Sequence, residues 1–210
     1  MKMEKLNQRQ RQALERRKEI LIAAKKLFAQ NGYHATTTRS INKEIGMADG
    51  LMYHYFPEGK LEILKTLVQE EIDRKKQSVQ QTSLSIDENI SIEELLTKIG
   101  QVIMKAATSD REMMVIMLRE YPVIKDTFSE PIVEFSGFYQ YVAKHLEMYM
   151  QKGIIRTLDP LFVAIQFISP FSVYTMSKVL MDDDSFSYFG MDEDTFLKHN
   201  VDCTLNILKI

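Results

Sequence analysis

Arg39, Asp49, Gly50, Leu51, Tyr53, His54 and Tyr55 fall within one short stretch, Thr36 to Phe56. The stretch reads as helix, glycine turn, helix, with Gly46 at the turn. Two short helices joined tightly suit a helix-turn-helix, whose second helix enters the DNA major groove. Ile41, Ile45, Met47, Met52 and Phe56 are the expected inner faces. The seven residues named first are then left outward or partly outward. Other chemistry-bearing residues do not assemble into a site. His145 and His199 have no paired His, Cys or carboxylate at metal-ligand spacing. There is no phosphate-cradling glycine loop, no nucleophile elbow and no HExxH motif. An enzyme, a resident metal and a cofactor are therefore not expected.

Charge points the same way. Residues 1–60 carry twelve Lys/Arg against six Asp/Glu, a net of +6. Residues 61–210 carry fifteen against twenty-three, a net of −8. A small basic part on a larger acidic body suggests that the first part meets a polyanion.

The elements that must position these residues are helical. Ile20, Ala23, Ala24, Leu27 and Phe28 lie on one helix face, and Asn31-Gly32 stops that helix. Thr36-Thr37-Thr38 offers N-cap hydroxyls for a second helix. A third helix is expected from about Asp49 to Tyr55 and ends at Phe56-Pro57, because the residue before proline avoids the α region. Leu61, Leu64, Val68 and Ile72 mark a long fourth helix. Ser91 with Glu94 resembles a capping box opening a fifth. A sixth is expected to end before Pro122, a seventh to run from about Glu130 to Lys152, an eighth to open at Asp159-Pro160, and a ninth to begin near Asp192.

The fold class expected is all-α, with nine helices in two domains: residues 1–60 as the helix-turn-helix domain and 61–210 as the remainder. The chain has 210 residues, 45% hydrophobic and 27% charged, with only 8 Gly and 5 Pro, few for an all-β chain. The single cysteine, Cys203, excludes an intramolecular disulfide framework, fits a reducing cytosol and is expected to be a buried interface or core thiol. No secretory signal is visible in the first residues. Leu161 to Met181 is long enough to cross a bilayer and carries one charge, Lys178. Its Gln166, Ser169, Pro170, Ser172, Thr175 and Ser177 favour a helix buried on two faces instead, and no membrane partner is expected.

The N-terminal part resembles the tetracycline-repressor (TetR/AcrR) family of bacterial transcription regulators. The resemblance rests on Ile20-x-x-Ala-Ala-x-x-Leu-Phe28, Gly32-Tyr33-x-Ala-Thr-Thr37, Arg39-x-Ile41, Gly46, Gly50-x-x-Tyr53-x-Tyr-Phe-Pro57 and Gly59-Lys60. It covers about residues 16–72; the rest matches only in length and helical character. It implies a cytoplasmic, DNA-binding regulator, a repressor acting as a homodimer on a palindromic operator of double-stranded DNA. Thr37 and Thr38 would meet phosphate at the start of the second helix. Arg39 would reach a guanine edge or a phosphate. Tyr53, Tyr55 and Lys60 would hold phosphates, Gly50 and Leu51 would approach the bases, and His54 would touch base or backbone. Ala48 and Asp49 stand where many relatives have Ser-Lys. Asp49 removes a cation there, can cap the third helix, and can accept from a cytosine amino group. It is also the feature favouring the rival reading, a helical ligand-binding or scaffold protein that has lost DNA binding.

The same resemblance implies a small-molecule effector in the C-terminal domain, and the Met- and aromatic-rich composition there suits a lipophilic one. Met113, Met117, Phe135, Phe138, Tyr139 and Phe167 are the expected lining, with Glu120, Glu134 and His145 as candidate polar anchors. The last two helices are the expected dimer surface, with Leu161, Phe162, Ile165, Ile168, Phe196, Leu205 and Leu208 facing the second copy.

Overall fold

A computed structural model of the protein describes residues 7–84, 90–108, 110–127, 133–181 and 190–210. Among these residues there are ten helices and no strand. In chain order they are α1 (Gln8–Asn31), α2 (Thr38–Glu44), α3 (Met52–Tyr55), α4 (Lys60–Leu84) and α5 (Ile92–Thr108). They continue with α6 (Arg111–Arg119), α7 (Tyr121–Thr127), α8 (Val133–Gln151), α9 (Pro160–Leu180) and α10 (Glu193–Leu208). The all-α class is as expected. The extra helix is α7: proline was expected to break the chain, but Pro122 sits in the first turn, where its missing N–H costs nothing. The acidic run at Asp182-Asp183-Asp184 lies outside the described residues, as do the side chains of Glu134 and Phe135.

Local chemistry sets most helix ends. Asn7 and Gln10 exchange side-chain-to-backbone bonds at the start of α1. At its end Gly32, with φ of 84°, donates its N–H to the Phe28 carbonyl. Asp159 opens α9 by accepting from Leu161 and Phe162, with Pro160 in the first turn. Asp192 opens α10 by accepting from the Thr195 amide, which holds its carboxyl below the ordinary carboxylate range. Ser91 accepts from the Glu94 amide at 3.1 Å, giving the expected cap of α5. The Glu94 carboxylate pairs with Lys98 at 2.8 Å.

The chain divides into two compact units. The first comprises Met1–Ile72 with Glu112–Phe128, the second Asp73–Arg111 with Ser129–Ile210. The first unit thus extends past residue 60 and takes in α6 and α7. The physical reason is apolar burial: Met113, Ile116 and Ile124 join Ile20, Phe28, Ile41, Met52, Phe56, Leu64 and Val68 in one core. Glu120, between α6 and α7, is buried in this unit and accepts from the Tyr33 amide at 2.9 Å. Arg119 reaches the Ala29 carbonyl, so this segment satisfies backbone groups at the end of α1.

The second unit is built from α5, α8, α9 and α10 around Leu96, Ile99, Val142, Leu146, Phe167, Phe171, Tyr174 and Val201. Gly100 marks the closest approach. A Cβ there would stand 2.4 Å from Leu197 Cδ1 and 2.8 Å from Phe171 Cζ. The Phe171 ring is fully buried and braced edge-on by Phe167 and Phe196, so it has nowhere to retreat. Gly100→Val is therefore expected to destabilise by about 2–3 kcal/mol. Thermal unfolding should fall by roughly 4–12 °C for a chain of this size. An unchanged melting temperature would show that the α5–α9–α10 contact is looser than this packing implies.

Helix α9 is apolar enough by length and composition to cross a membrane. One face, Val163, Ala164, Phe167, Ile168 and Phe171, is packed into the core of the second unit. Its other face is exposed at Phe162, Ile165, Val173 and Met176. Ile168 and Leu208, expected at a dimer surface, belong to the core, whereas Cys203, expected as a core or interface thiol, is exposed on α10 and so is not part of the core.

Candidate nucleic-acid interface

The residues singled out in the sequence converge on the surface formed by α2, α3 and the turn between them. Thr37 is the N-cap of α2: its Oγ1 accepts from the Ser40 amide and Ser40 Oγ accepts from the Thr37 amide, both at 3.0 Å. Thr36 is buried and donates to carbonyls of the α1 end, so only Thr37 of the three threonines serves as the cap. The role of Ser40 was missed; its spacing three residues after Thr37 was the available signal. Ile41 and the half-buried Ile45 turn inward as expected.

The third helix is shorter than the sequence suggests. Gly50 has a φ of 87°, outside the right-handed helical region, so α3 cannot extend back to Asp49. No side chain caps α3. Asp49 instead pairs with Arg39 of α2, its Oδ2 3.1 Å from the arginine Nε. Leu51 and Tyr53 remain 45% and 51% exposed, and Gly50 and His54 are exposed beside them.

Tyr53 is held from behind. A Cβ at Gly59 would lie 3.1 Å from the tyrosine Cε1 and 3.8 Å from Thr38 Cγ2. The ring thus rests against the glycine backbone beside Thr38. Tyr55 is half-buried against the core of the first unit, and its ring meets His54 edge-on at 5.3 Å.

Two cations have roles the sequence did not reveal. Lys60, expected at a phosphate, donates from Nζ to the carbonyls of Tyr33, His34 and Thr36 at 2.9, 3.3 and 3.1 Å. It also sits over the Tyr33 ring, 4.4 Å from its centroid. An ammonium has three donors, so this lysine is spent on organising the α1–α2 loop. Burial and the Glu120 charge push the Tyr33 hydroxyl up from its ordinary pKa. Arg17 on α1 donates to the Tyr55 carbonyl and lies 3.9 Å over the Phe56 ring. It ties the end of α3 to α1. Lys26 and Glu44 brace α1 against α2 at 2.7 Å, and the Glu44 carboxylate raises the lysine pKa.

The expected effector residues are not brought together within one unit. Met113 and Met117 belong with the core of the first unit. Phe138, Tyr139 and Phe167 belong with that of the second, Phe167 fully buried. His145 contacts the Tyr141 carbonyl through Nδ1 at 2.9 Å, and the two rings lie tilted at 52° with centroids 4.4 Å apart. Among the described residues no group of His, Cys, Asp and Glu is arranged to hold a metal ion.

Among the described residues the chain is all-helical, and its first unit presents α2, a tight turn and α3 on a polar, partly cationic surface, the arrangement of a helix-turn-helix. Comparison with known proteins sharpens this. Residues 20–67 match the family model for bacterial regulatory proteins of the tetR family. The chain is 36% identical over 86 residues to the uncharacterized HTH-type transcriptional regulator YxaF of Bacillus subtilis, a match spanning 36% of this chain and 45% of that one. It is 22% identical over 183 residues to the regulator YvkB of the same species, spanning 87% and 92%. The fold resembles that of the transcriptional regulator FadR from Bacillus subtilis in complex with stearoyl-CoA, with a TM-score of 0.63 at 21% identity over 89% of this chain and 96% of that one. These similar proteins are transcriptional regulators, not enzymes.

Proposed function

We propose that this protein is a cytoplasmic transcriptional repressor whose dimer binds a palindromic operator and leaves it when a lipophilic small molecule binds the second unit. The observation that carries the DNA-binding part is the common exposed surface of Arg39, Asp49, Gly50, Leu51, Tyr53 and His54 around a turn supported by the first unit's core. Thr37 and Thr38 flank it, and Tyr55 sits at its rim. In this reading α3 enters the major groove. Leu51 meets base edges, while Tyr53 donates its hydroxyl to a phosphate.

A second copy is needed because one such element reads too few base pairs. Phe162, Ile165, Ser169, Val173 and Met176 recur at three- and four-residue steps along α9, an apolar stripe on the exposed face. It continues into a groove of about 370 Å³ lined by Gln166, Ser169, Pro170, Val173, Tyr174 and Phe196. Ile207 of α10 is a further exposed apolar residue of the second unit. Such a surface suits a twofold contact between copies. The effector part is supported by the aromatic content of the second unit, with Phe138 and Tyr139 half-buried at its core. The likeness in fold to a regulator holding stearoyl-CoA adds support.

The test is a gel shift with duplexes spanning the DNA that flanks the protein's own gene. A specific shift is expected. Tyr53→Phe removes only the phenolic donor and is expected to weaken binding about 10- to 150-fold on every sequence alike, the size of a lost hydrogen bond to a charged group. Absence of any shift, or a Tyr53→Phe protein that binds as tightly as the parent, would count against this placement of α3. The rival reading drew on Asp49, but its carboxylate is offset by the Arg39 guanidinium, so it leaves no uncompensated negative charge on this face.

A further inference from the structure

Arg39 and Asp49 come from different elements, one on α2 and one in the turn before α3, yet meet at 3.1 Å through Nε and Oδ2. Their side chains are 84% and 62% exposed. An ion pair this exposed adds little to folding stability, so stability alone does not account for it. What the pair does is fix a donor group beside an acceptor group on the face that presents Gly50, Leu51, Tyr53 and His54. Engagement through Nε leaves both Nη groups of Arg39 without a role in this contact, and Asp49 Oδ1 likewise.

We propose that Arg39 and Asp49 act as one unit that reads a single G·C base pair in the major groove. The inference rests on the reading of the first unit as a DNA-binding domain. A G·C pair shows two acceptors, guanine N7 and O6, followed by one donor, the cytosine N4 amino group. Arg39 supplies donors for the first two, and Asp49, at its side, supplies the acceptor for the third. An A·T pair shows the wrong order: the adenine amino group would face the guanidinium, and thymine O4 would face the carboxylate. Both mismatches are repulsive, so the pair discriminates by rejection as well as attraction. Asp49 also orients Arg39, which otherwise has a long, freely rotating side chain.

The experiment is selection of duplexes from a random pool by the full-length protein, repeated with Asp49→Ala and Arg39→Ala. The parent should enrich sites sharing a G·C pair at one position of each half-site. Asp49→Ala should still enrich sites with the same half-site spacing, but its preference for G·C over A·T at that position should fall about tenfold or more. A selected duplex whose cytosine there is replaced by 2-pyrimidinone, which lacks the amino group, should bind the parent more weakly and the Asp49→Ala protein equally well. If Asp49→Ala binds every sequence more tightly, or equally, with its base preference intact, Asp49 acts only through phosphate repulsion or not at all, and the proposal is overturned. If the parent enriches no duplex, the DNA-binding reading fails and takes this inference with it.

Discussion

Replacing Phe56 by alanine is expected to remove about 3–5 kcal/mol from the first unit, the range for a large aromatic side chain lost from a packed interior. Phe56 is fully buried at the end of α3, in the core shared with Ile20, Phe28, Met52, Ile63 and Leu64. The Arg17 guanidinium lies 3.9 Å from its ring centroid and also holds the Tyr55 carbonyl. Truncation removes both the wedge between α3 and α4 and the surface on which Arg17 rests. Phe56→Leu keeps most of the volume and is expected to cost under about 2 kcal/mol. Urea unfolding separates the two variants. Because the chain has two units, the loss should show as an early transition confined to the first one. DNA binding should disappear with that transition, since α3 is positioned from behind by this ring. A Phe56→Ala protein that unfolds with the parent's midpoint would mean that α3 is anchored elsewhere.

The second large effect is ionic. If two copies together neutralise about ten phosphates, log affinity should fall against log salt with a slope near −9. Between 50 and 200 mM salt that amounts to roughly a 10⁵-fold loss. A single copy would halve the slope, so one titration reports on both the electrostatic footprint and the number of copies engaged. The +6 balance of residues 1–60 is compatible with such a footprint. Several of those cations are already engaged within the unit: Lys26 with Glu44, Arg16 with Glu19, and Lys60 with three carbonyls. A slope far shallower than −9 would identify them as internal braces only, and a flat response would remove DNA from the account.

Lys60 shows what spacing could not reveal. As a lysine at a helix start in a basic segment, it reads as a phosphate ligand. Its actual partners are main-chain carbonyls 24 to 27 positions earlier, which carry no side-chain signature. Asp49 is similar. Its place before α3 suggests a cap, but the left-handed Gly50 ends that possibility and Arg39 takes the carboxylate. The reach of the first unit is a third case. Met113, Ile116 and Ile124 have ordinary helical spacing, and periodicity says which residues share a face without saying what covers it.

Helix identity, most helix ends and the helix-turn-helix itself were readable from the residues alone, because they follow from interactions within a few positions. A 3.6-residue repeat, a glycine after Asn31, a threonine before α2 and a proline opening α9 each act locally, whatever the rest of the chain does. Which helices share a core, which cations are left for a partner, and which apolar faces remain uncovered were settled only by three-dimensional packing. Those outcomes depend on contacts between segments tens of residues apart, such as Tyr33 with Glu120 or Gly100 with Leu197, and no local pattern encodes them.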